Sequence, residues 1–390
     1  MQIGIEAIGF SSSNYYLDMQ DLAHERNIDV AKFYDGLGQK KMAVPPPGED
    51  VVTLAANAAS EVVTDSNKEQ IELVLFATES GIDCSKSAGI YVHSLLGLPS
   101  RCRVLELKQA CYSATAGLQL ALAFLEKNPT KKVLLLASDI ARYGLHTTGE
   151  SSQGAGAVAI LLAANPRLLS IKPEAGFYTK DVMDFWRPNY CDAAFVDGRY
   201  SCDVYIRVME ETWKQYTELS GRKFSDHDRF CYHTPVPKLV EKTHRRLAKL
   251  NGIKELSAPE LQYQIGLSLL YNCEIGNCYT ASLFVAVLSL LENATENLAG
   301  RLLGLYSYGS GCSGEFFAAE VMPDYEKMLN SAKHKTFLAN RKRLSYAEYA
   351  EFYNFKLPED GSELILPQYA TGKFKLVSVK QHKRIYEPVL

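Results

Sequence analysis

The sequence predicts an α/β fold assembled from two similar halves, and two observations carry that prediction. Short, nearly unbroken apolar runs alternate with helical text, and a Cys-Tyr segment returns 167 residues after its first appearance.

The apolar runs are Ile71–Ala77, 133–137, 157–163, 302–307 and 316–321. Each is continuous rather than alternating, the pattern of a strand covered on both faces. Residues 51–63 are rich in alanine and read as helix, and residues 87–96 space their apolar side chains at helical intervals. Strands interleaved with helices define the α/β class.

The echo comes next. Residues 111–128 read CYSATAGLQLALAFLEKN and residues 278–293 read CYTASLFVAVLSLLEN. Each is followed by a strand-like run, a Gly-rich turn (154–156 and 309–311) and another apolar strand. Such self-similarity implies a duplicated architecture. Both segments are apolar nearly all round, so both are expected to be buried on every side, packed together between sheets. The stretch 322–390 adds Tyr-rich helical text, SYAEYAEFYNF, and a last strand-like run, FKLVSV.

Composition excludes several classes. The chain of 390 residues is 47% hydrophobic, ample for a large core, and its net charge of -3 lacks the basic excess of a nucleic-acid binder. Nine cysteines with no CxxC pair argue against a zinc ribbon or a disulfide scaffold and fit a reducing, cytoplasmic setting. The opening MQIGIEAIGF has no basic region before an apolar run, so no signal peptide is read, and no uncharged apolar stretch is long enough to span a membrane.

Four places carry candidate chemistry. Cys111 follows a strand-like stretch at 104–107 and opens the first echoed helix. A thiol there feels the positive end of the helix dipole, which favours thiolate, and unpaired backbone N–H groups nearby can hold an oxyanion. A buried structural cysteine reads the same way, and Cys278 occupies the same place in the second half. Glu79 ends the apolar run in FATES, where a carboxylate among apolar groups can trade protons near neutrality. A loop glutamate capping a helix is the alternative.

His233 lies in CYHTPVPK, stiffened by two prolines, and the helix after Pro237 sets Lys238, Lys242, Arg245 and Lys249 on one face. That stripe is a candidate phosphate clamp or a solvated helix face. Gly309-Ser310-Gly311 lets backbone approach a ligand, and the Ser310 N–H is a candidate second oxyanion donor.

Taken together and in order, IGIEAIGF, GQKKMAV, FATES, KQACYSAT, ASDIARYG, GAGAVA, VMDFWRP, CYHTP, GNCYTAS and SYGSG resemble the HMG-CoA synthase family of the thiolase superfamily over nearly the whole chain. The resemblance implies a duplicated five-layer αβαβα sandwich and a homodimer. It implies one half over 1–167 with Glu79 and Cys111, and another over 168–390 with His233 and Asn277. It implies Cys111 as the acetylated residue, Glu79 as the acid/base that enolises the acetyl group, and His233 as the group that orients acetoacetyl thioester. Tyr143, Asp184, Phe185 and Asn277 match pocket motifs; Asp29, Ser152, Ser201 and Lys242 match positions that contact acyl-CoA.

The implied substrates are acetyl-CoA and acetoacetyl-CoA, with no metal or redox cofactor. A ketoacyl synthase or thiolase would want a second histidine or catalytic cysteine where Asn277 stands. ESGIDCSKS, YVHSLLGL and SYGSGCSGEFF look instead like polyketide β-branching synthases that use acyl carrier protein. RYGLHTTGESSQGAGAVA, DFWRP and the pair Lys238 and Lys242 favour free coenzyme A and the mevalonate pathway.

Overall fold

The structure, a computed structural model, describes residues 1–389. Nine strands form one sheet: β1 (Ile3–Ser12), β2 (Ile71–Ala77), β3 (Arg103–Leu107), β4 (Lys132–Ile140), β5 (Ala155–Ala164), β6 (Leu169–Thr179), β7 (Arg229–Tyr232), β8 (Leu302–Gly309) and β9 (Ser313–Val321). Their spatial order is β7-β8-β9-β6-β1-β5-β4-β2-β3. All five apolar runs lie within strands, and β1, β4, β5 and β8 are buried along nearly their whole length.

The sheet repeats itself outward from its middle. β1 pairs antiparallel with β5, β5 antiparallel with β4, and β4 parallel with β2. On the other side β6 pairs antiparallel with β9, β9 antiparallel with β8, and β8 parallel with β7. The two arrays are hydrogen-bonded to each other where Gly4 and Ile5 of β1 meet Ser170 and Leu169 of β6. β3 extends the first array and is the sheet's outer edge on that side.

The helices that position the site are α1 (Val51–Ala59), α2 (Ala88–Leu95), α3 (Ser113–Lys127), α4 (Gly198–Ser220), α5 (Pro237–Leu250), α6 (Leu267–Ile275), α7 (Ser282–Asn293), α8 (Ser331–Ala339) and α9 (Tyr346–Asn354). α1 starts with a capping box in which Asp50 and Thr53 satisfy each other's end groups, and every residue in it is buried. α5 opens with Pro237 at its first position, where a missing N–H costs nothing.

The two echoed segments become α3 and α7, but they are not equally buried. All but the last residue of α7 is buried, as an all-apolar helix requires. α3 corrects the expectation: Leu120 is 54% exposed, and so is Leu105 on the adjacent edge strand. The reason is position, since α3 packs against β4 and β2 at the outer end of the sheet, whereas α7 is covered by α6 and β7.

Candidate active site

The site forms where strand ends of the two arrays converge. β2 ends at Ala77, and the chain turns there because Asp139, at the end of neighbouring β4, gathers the turn. Its Oδ1 accepts from the Thr78 hydroxyl (2.8 Å) and from the Glu79 and Ser80 N–H groups (2.9 Å each). Its Oδ2 accepts from the Thr280 N–H and hydroxyl at the start of the second echoed segment, tying the two halves together. Burial pushes the Asp139 carboxyl up, and these hydrogen bonds work against that.

The turn places the half-buried Glu79 against the half-buried Cys111, whose thiol donates to Glu79 Oε1 at 2.9 Å. Burial, reinforced by the Asp139 charge, pushes the Glu79 carboxyl up to about 8, while the Cys111 hydrogen bond and Arg187 pull against it. The Arg187 guanidinium holds the Glu79 carbonyl in place.

Cys111 corrects the thiolate expectation. Burial first, then the Glu79 charge and hydrogen bond, push its thiol well above the ordinary range. The helix proper starts at Ser113 with Tyr112 as its cap, so Cys111 sits just before the cap, where burial and the adjoining Glu79 carboxyl outweigh the partial dipole. Thiol and carboxyl titrate as a pair that holds its proton tightly.

Gly309 shows how closely the second half approaches. A Cβ there would lie 2.5 Å from the Gln109 carbonyl and 2.6 Å from the Tyr112 nitrogen. The glycine therefore lets the 309–311 turn lie directly on the Cys111 turn. The Gln109 amide donates to the Ser310 carbonyl (3.2 Å), and the Gly311 N–H donates to Asp184 Oδ1 (2.9 Å). Asp184, fully buried, also accepts from Tyr308 (2.6 Å) and Ser201 (3.1 Å) through Oδ2. Asp184 and Ser201 thus hold the Ser310 turn.

His233 follows β7 and is buried. Its Nδ1 lies 2.6 Å from the Ser282 hydroxyl, which already accepts from the Thr234 N–H. The Ser282 proton is then best placed toward Nδ1, leaving Nε2 as the N–H donor. Burial lowers the His233 pKa to about 3, so the ring is neutral. The Tyr205 hydroxyl donates to the His233 carbonyl (2.7 Å), and its ring packs beside the imidazole with centres 6.4 Å apart.

Tyr143, Phe185 and Tyr279 pack edge-on, with ring centres 5.8 to 6.1 Å apart, beside Cys111 and Glu79. Asn277 is buried by the Tyr143 phenol, and its Oδ1 accepts from the Tyr279 N–H at 2.9 Å.

The remaining expected residues lie farther out. Asp29 is exposed and accepts from the Ala31 N–H, and Ser152 donates to the Gly149 carbonyl. Lys238 departs from the expected stripe because its ammonium is paired with Glu241 at 2.8 Å. Lys242 is exposed and shares a cleft of about 360 Å³ with Arg245, Arg246, Lys249, Lys254 and Glu255. Asp139, Arg187, Tyr205 and Ser282 were missed in the sequence. Asp139 had a signal, as the acid that ends a buried strand in ASDIARYG; the others are visible only once the halves are packed.

A duplicated α/β fold with a cysteine thiol on a buried carboxyl at converging strand ends is the frame of a thiol-dependent acyl-transferring enzyme. The chain belongs to the HMG-CoA synthase family. The family models "Hydroxymethylglutaryl-coenzyme A synthase N terminal" and "C terminal" match residues 1–167 and, in two segments, 172–253 and 248–362. A hydroxymethylglutaryl-CoA synthase of Enterococcus faecalis is 43% identical, covering 92% of this chain and 94% of that one. The polyketide biosynthesis 3-hydroxy-3-methylglutaryl-ACP synthase PksG of Bacillus subtilis is 36% identical, covering 89% and 86%. A crystal structure of an HMG-CoA synthase complexed with CoA superposes with a TM-score of 0.94 at 41% identity over 100% of both chains. The fold is the thiolase-like one.

Proposed function

We propose that the protein condenses acetyl-CoA with acetoacetyl-CoA and water to give HMG-CoA and coenzyme A, the reaction named by its relative at 43% identity. The observation that carries the assignment of roles is the 2.9 Å contact between the Cys111 thiol and Glu79. As sulfur attacks the acetyl carbonyl, Glu79 takes the thiol proton and returns it to the departing coenzyme A thiolate. The ionised Glu79 then removes a methyl proton from acetyl-Cys111, with the Cys111 and Ser310 N–H groups facing the enolate oxygen. The enolate carbon bonds to the ketone carbon of acetoacetyl-CoA, and Glu79 protonates the alkoxide. Water then breaks the Cys111 thioester, freeing the thiol and the product carboxylate. Neutral His233, with Nε2–H as donor, orients the acceptor thioester, and Asn277, Tyr143 and Phe185 shape the acyl pocket.

Free coenzyme A is the acceptor's carrier on this reading. Lys242 and its cationic neighbours meet its phosphates, with Asp29, Ser152 and Ser201 along the way. An acidic carrier protein is the rival, favoured by the 36% identity to a synthase named for ACP. Purified protein charged with acetyl-CoA is offered acetoacetyl-CoA and acetoacetyl-carrier protein in parallel. Faster turnover on coenzyme A supports the reading; faster turnover on the carrier protein replaces it. No metal or redox group enters this scheme. The exposed Leu105 and Leu120 on one edge support a homodimer, which sedimentation tests. The nine free cysteines suit the cytoplasm, and no described helix is long and apolar enough to cross a membrane.

A further inference from the structure

The tyrosine-rich helix α9 lies outside the thiol–carboxyl pair, yet three of its phenols hold the loop that carries Tyr143. Tyr346, Tyr349 and Tyr353 share one face by their spacing of three and four. The Tyr349 hydroxyl accepts from Gln153 Nε2 (2.7 Å), and Gln153 Oε1 accepts from the Tyr143 N–H (2.8 Å). The Tyr353 hydroxyl accepts from the Gly144 N–H (3.0 Å), and its carbonyl accepts from Arg142 (3.1 Å). Tyr346 donates to Glu150 Oε1 (3.0 Å), whose other oxygen accepts from the His146 N–H (2.9 Å) and from Arg26.

Gln153 is the hub. Both Gln153 and Tyr349 are buried, so removing a partner of either amide arm strands a buried polar group. Its backbone also lies against the Asn277 turn: at Gly276, where φ is +79°, a Cβ would sit 2.0 Å from the Gln153 carbonyl. A Cβ on Gly154 would sit 2.7 Å from the Asn277 nitrogen. The Gln153 side chain thus holds the Tyr143 backbone while its main chain lies against the Asn277 turn.

We propose that the tyrosine face of α9, acting through Gln153 and the Gly144 backbone, is a positioning element that holds Tyr143 and Asn277 so that water is kept off the acyl-cysteine until condensation. This rests on the condensation reading above. The Tyr143, Phe185 and Tyr279 rings wall the thioester. If that wall shifts, water bonds to the acyl carbon, the carbon–sulfur bond breaks, Cys111 regains its proton and acetate leaves before the carbon–carbon bond forms.

The test is the ratio of acetate released from acetyl-CoA alone to product formed with acetoacetyl-CoA. Tyr349→Phe raises that ratio about threefold or more with the acetyl-CoA KM within about twofold, since misplacement acts on reacting geometry more than on binding. Tyr353→Phe, at a half-buried site, moves it in the same direction. Tyr369→Phe, which only packs edge-on against Tyr15 and Phe352 in the same C-terminal region, leaves it unchanged. An unchanged ratio in Tyr349→Phe and Tyr353→Phe with melting temperatures kept overturns the inference, as does an equal rise in Tyr369→Phe. If Tyr349→Phe does not fold, Tyr353→Phe decides. A parent protein that forms no carbon–carbon bond refutes the function; a condensing parent matched by its variants refutes only the positioning role.

Discussion

In the first half, β2 leads into Glu79 and the echoed helix follows Cys111; in the second, β7 leads into His233 and the echoed helix follows Cys278. Four strands of each half match in order and pairing, with β3 an addition to the first, yet the neighbours differ. Cys111 is half-buried and donates to a carboxylate. Cys278 is fully buried, and burial alone leads the causes that push its thiol up. Where the first half places the Glu79 carboxyl after its strand, the second places a neutral imidazole, His233. On the reading proposed above, access and a nearby proton acceptor make the Cys111 position the reactive one and leave the second-half position to orient and support.

The largest test breaks this comparison outright. Cys111→Ala abolishes covalent labelling by radioactive acetyl-CoA, and Cys278→Ala keeps it. Label retained on Cys111→Ala and lost on Cys278→Ala would invert the assignment.

Next in size is the carboxyl. Glu79→Gln lowers condensation by about 10²-fold or more, the usual worth of general acid–base help. The sign of its stability effect is also determined. The fold raises Glu79 from 4.5 to about 8, so the folded state prefers the proton, and stability present below 4.5 is lost as pH rises toward 8. Glu79→Gln escapes that loss and melts higher than the parent near about pH 9. Equal melting temperatures there, measured by calorimetry, would show that solvent reaches the carboxyl freely.

Much of this contrast was legible in the sequence, and the illegible part has physical causes. Continuous apolar runs marked β2, β4, β5, β8 and β9 because both faces of these strands are covered. β6 stayed hidden because Lys172, Pro173 and Glu174 interrupt its apolar text; the structure puts a register shift there, where proline's missing N–H is tolerated. α4 was overlooked although Val204, Val208 and Tyr216 and their neighbours recur with helical period, because its overall polarity masks the buried stripe. Cys111, Glu79 and His233 were candidates from position alone. The thiol's protonation was misjudged because the dipole is readable in a sequence, whereas the burial of Cys111 and the approach of Glu79 to it are not.

The echoed helices also differ at their far ends, which gives a third test. Glu126 of α3 is exposed, whereas Glu292 of α7 is buried and accepts from His334 Nδ1 at 2.8 Å. His334 Nε2 meets Glu61, just beyond α1, at 2.9 Å. Burial alone would lower this imidazole, but Glu292 and Glu61 outweigh it and raise it from 6.5 to about 9. The folded state therefore holds the proton more tightly, so the stabilisation is complete below 6.5 and fades as pH rises through about 9. His334→Gln costs about 3 kcal/mol near neutral pH, because buried Glu292 loses its cation and Glu61 keeps only the exposed Lys333. The deficit narrows on alkaline titration; a deficit independent of pH in denaturant melts would mean that packing, not charge, joins the halves there.

The smallest effect sharpens the comparison at the helix after each strand end. α2, in the first half, reads AGIYVHSL, while α5, in the second, carries Lys238, Lys242, Arg245 and Lys249. On the proposed reading the first half reacts and the second holds, so loss of a second-half cation acts on KM. Lys242 is exposed and among cations, so it is free to meet phosphate as a charge-assisted contact. Lys238 already has Glu241 at 2.8 Å. Lys242→Ala raises the KM for acetoacetyl-CoA by about three- to tenfold with little change in kcat, as expected for binding remote from the chemistry. Lys238→Ala changes KM less than about twofold, since an exposed pair of this kind contributes little. The Lys242 effect shrinks as salt rises, because exposed charges are screened. If Lys238→Ala proves the more damaging of the two, the Glu241 pair opens to receive substrate, and the holding surface of the second half starts one turn closer to His233.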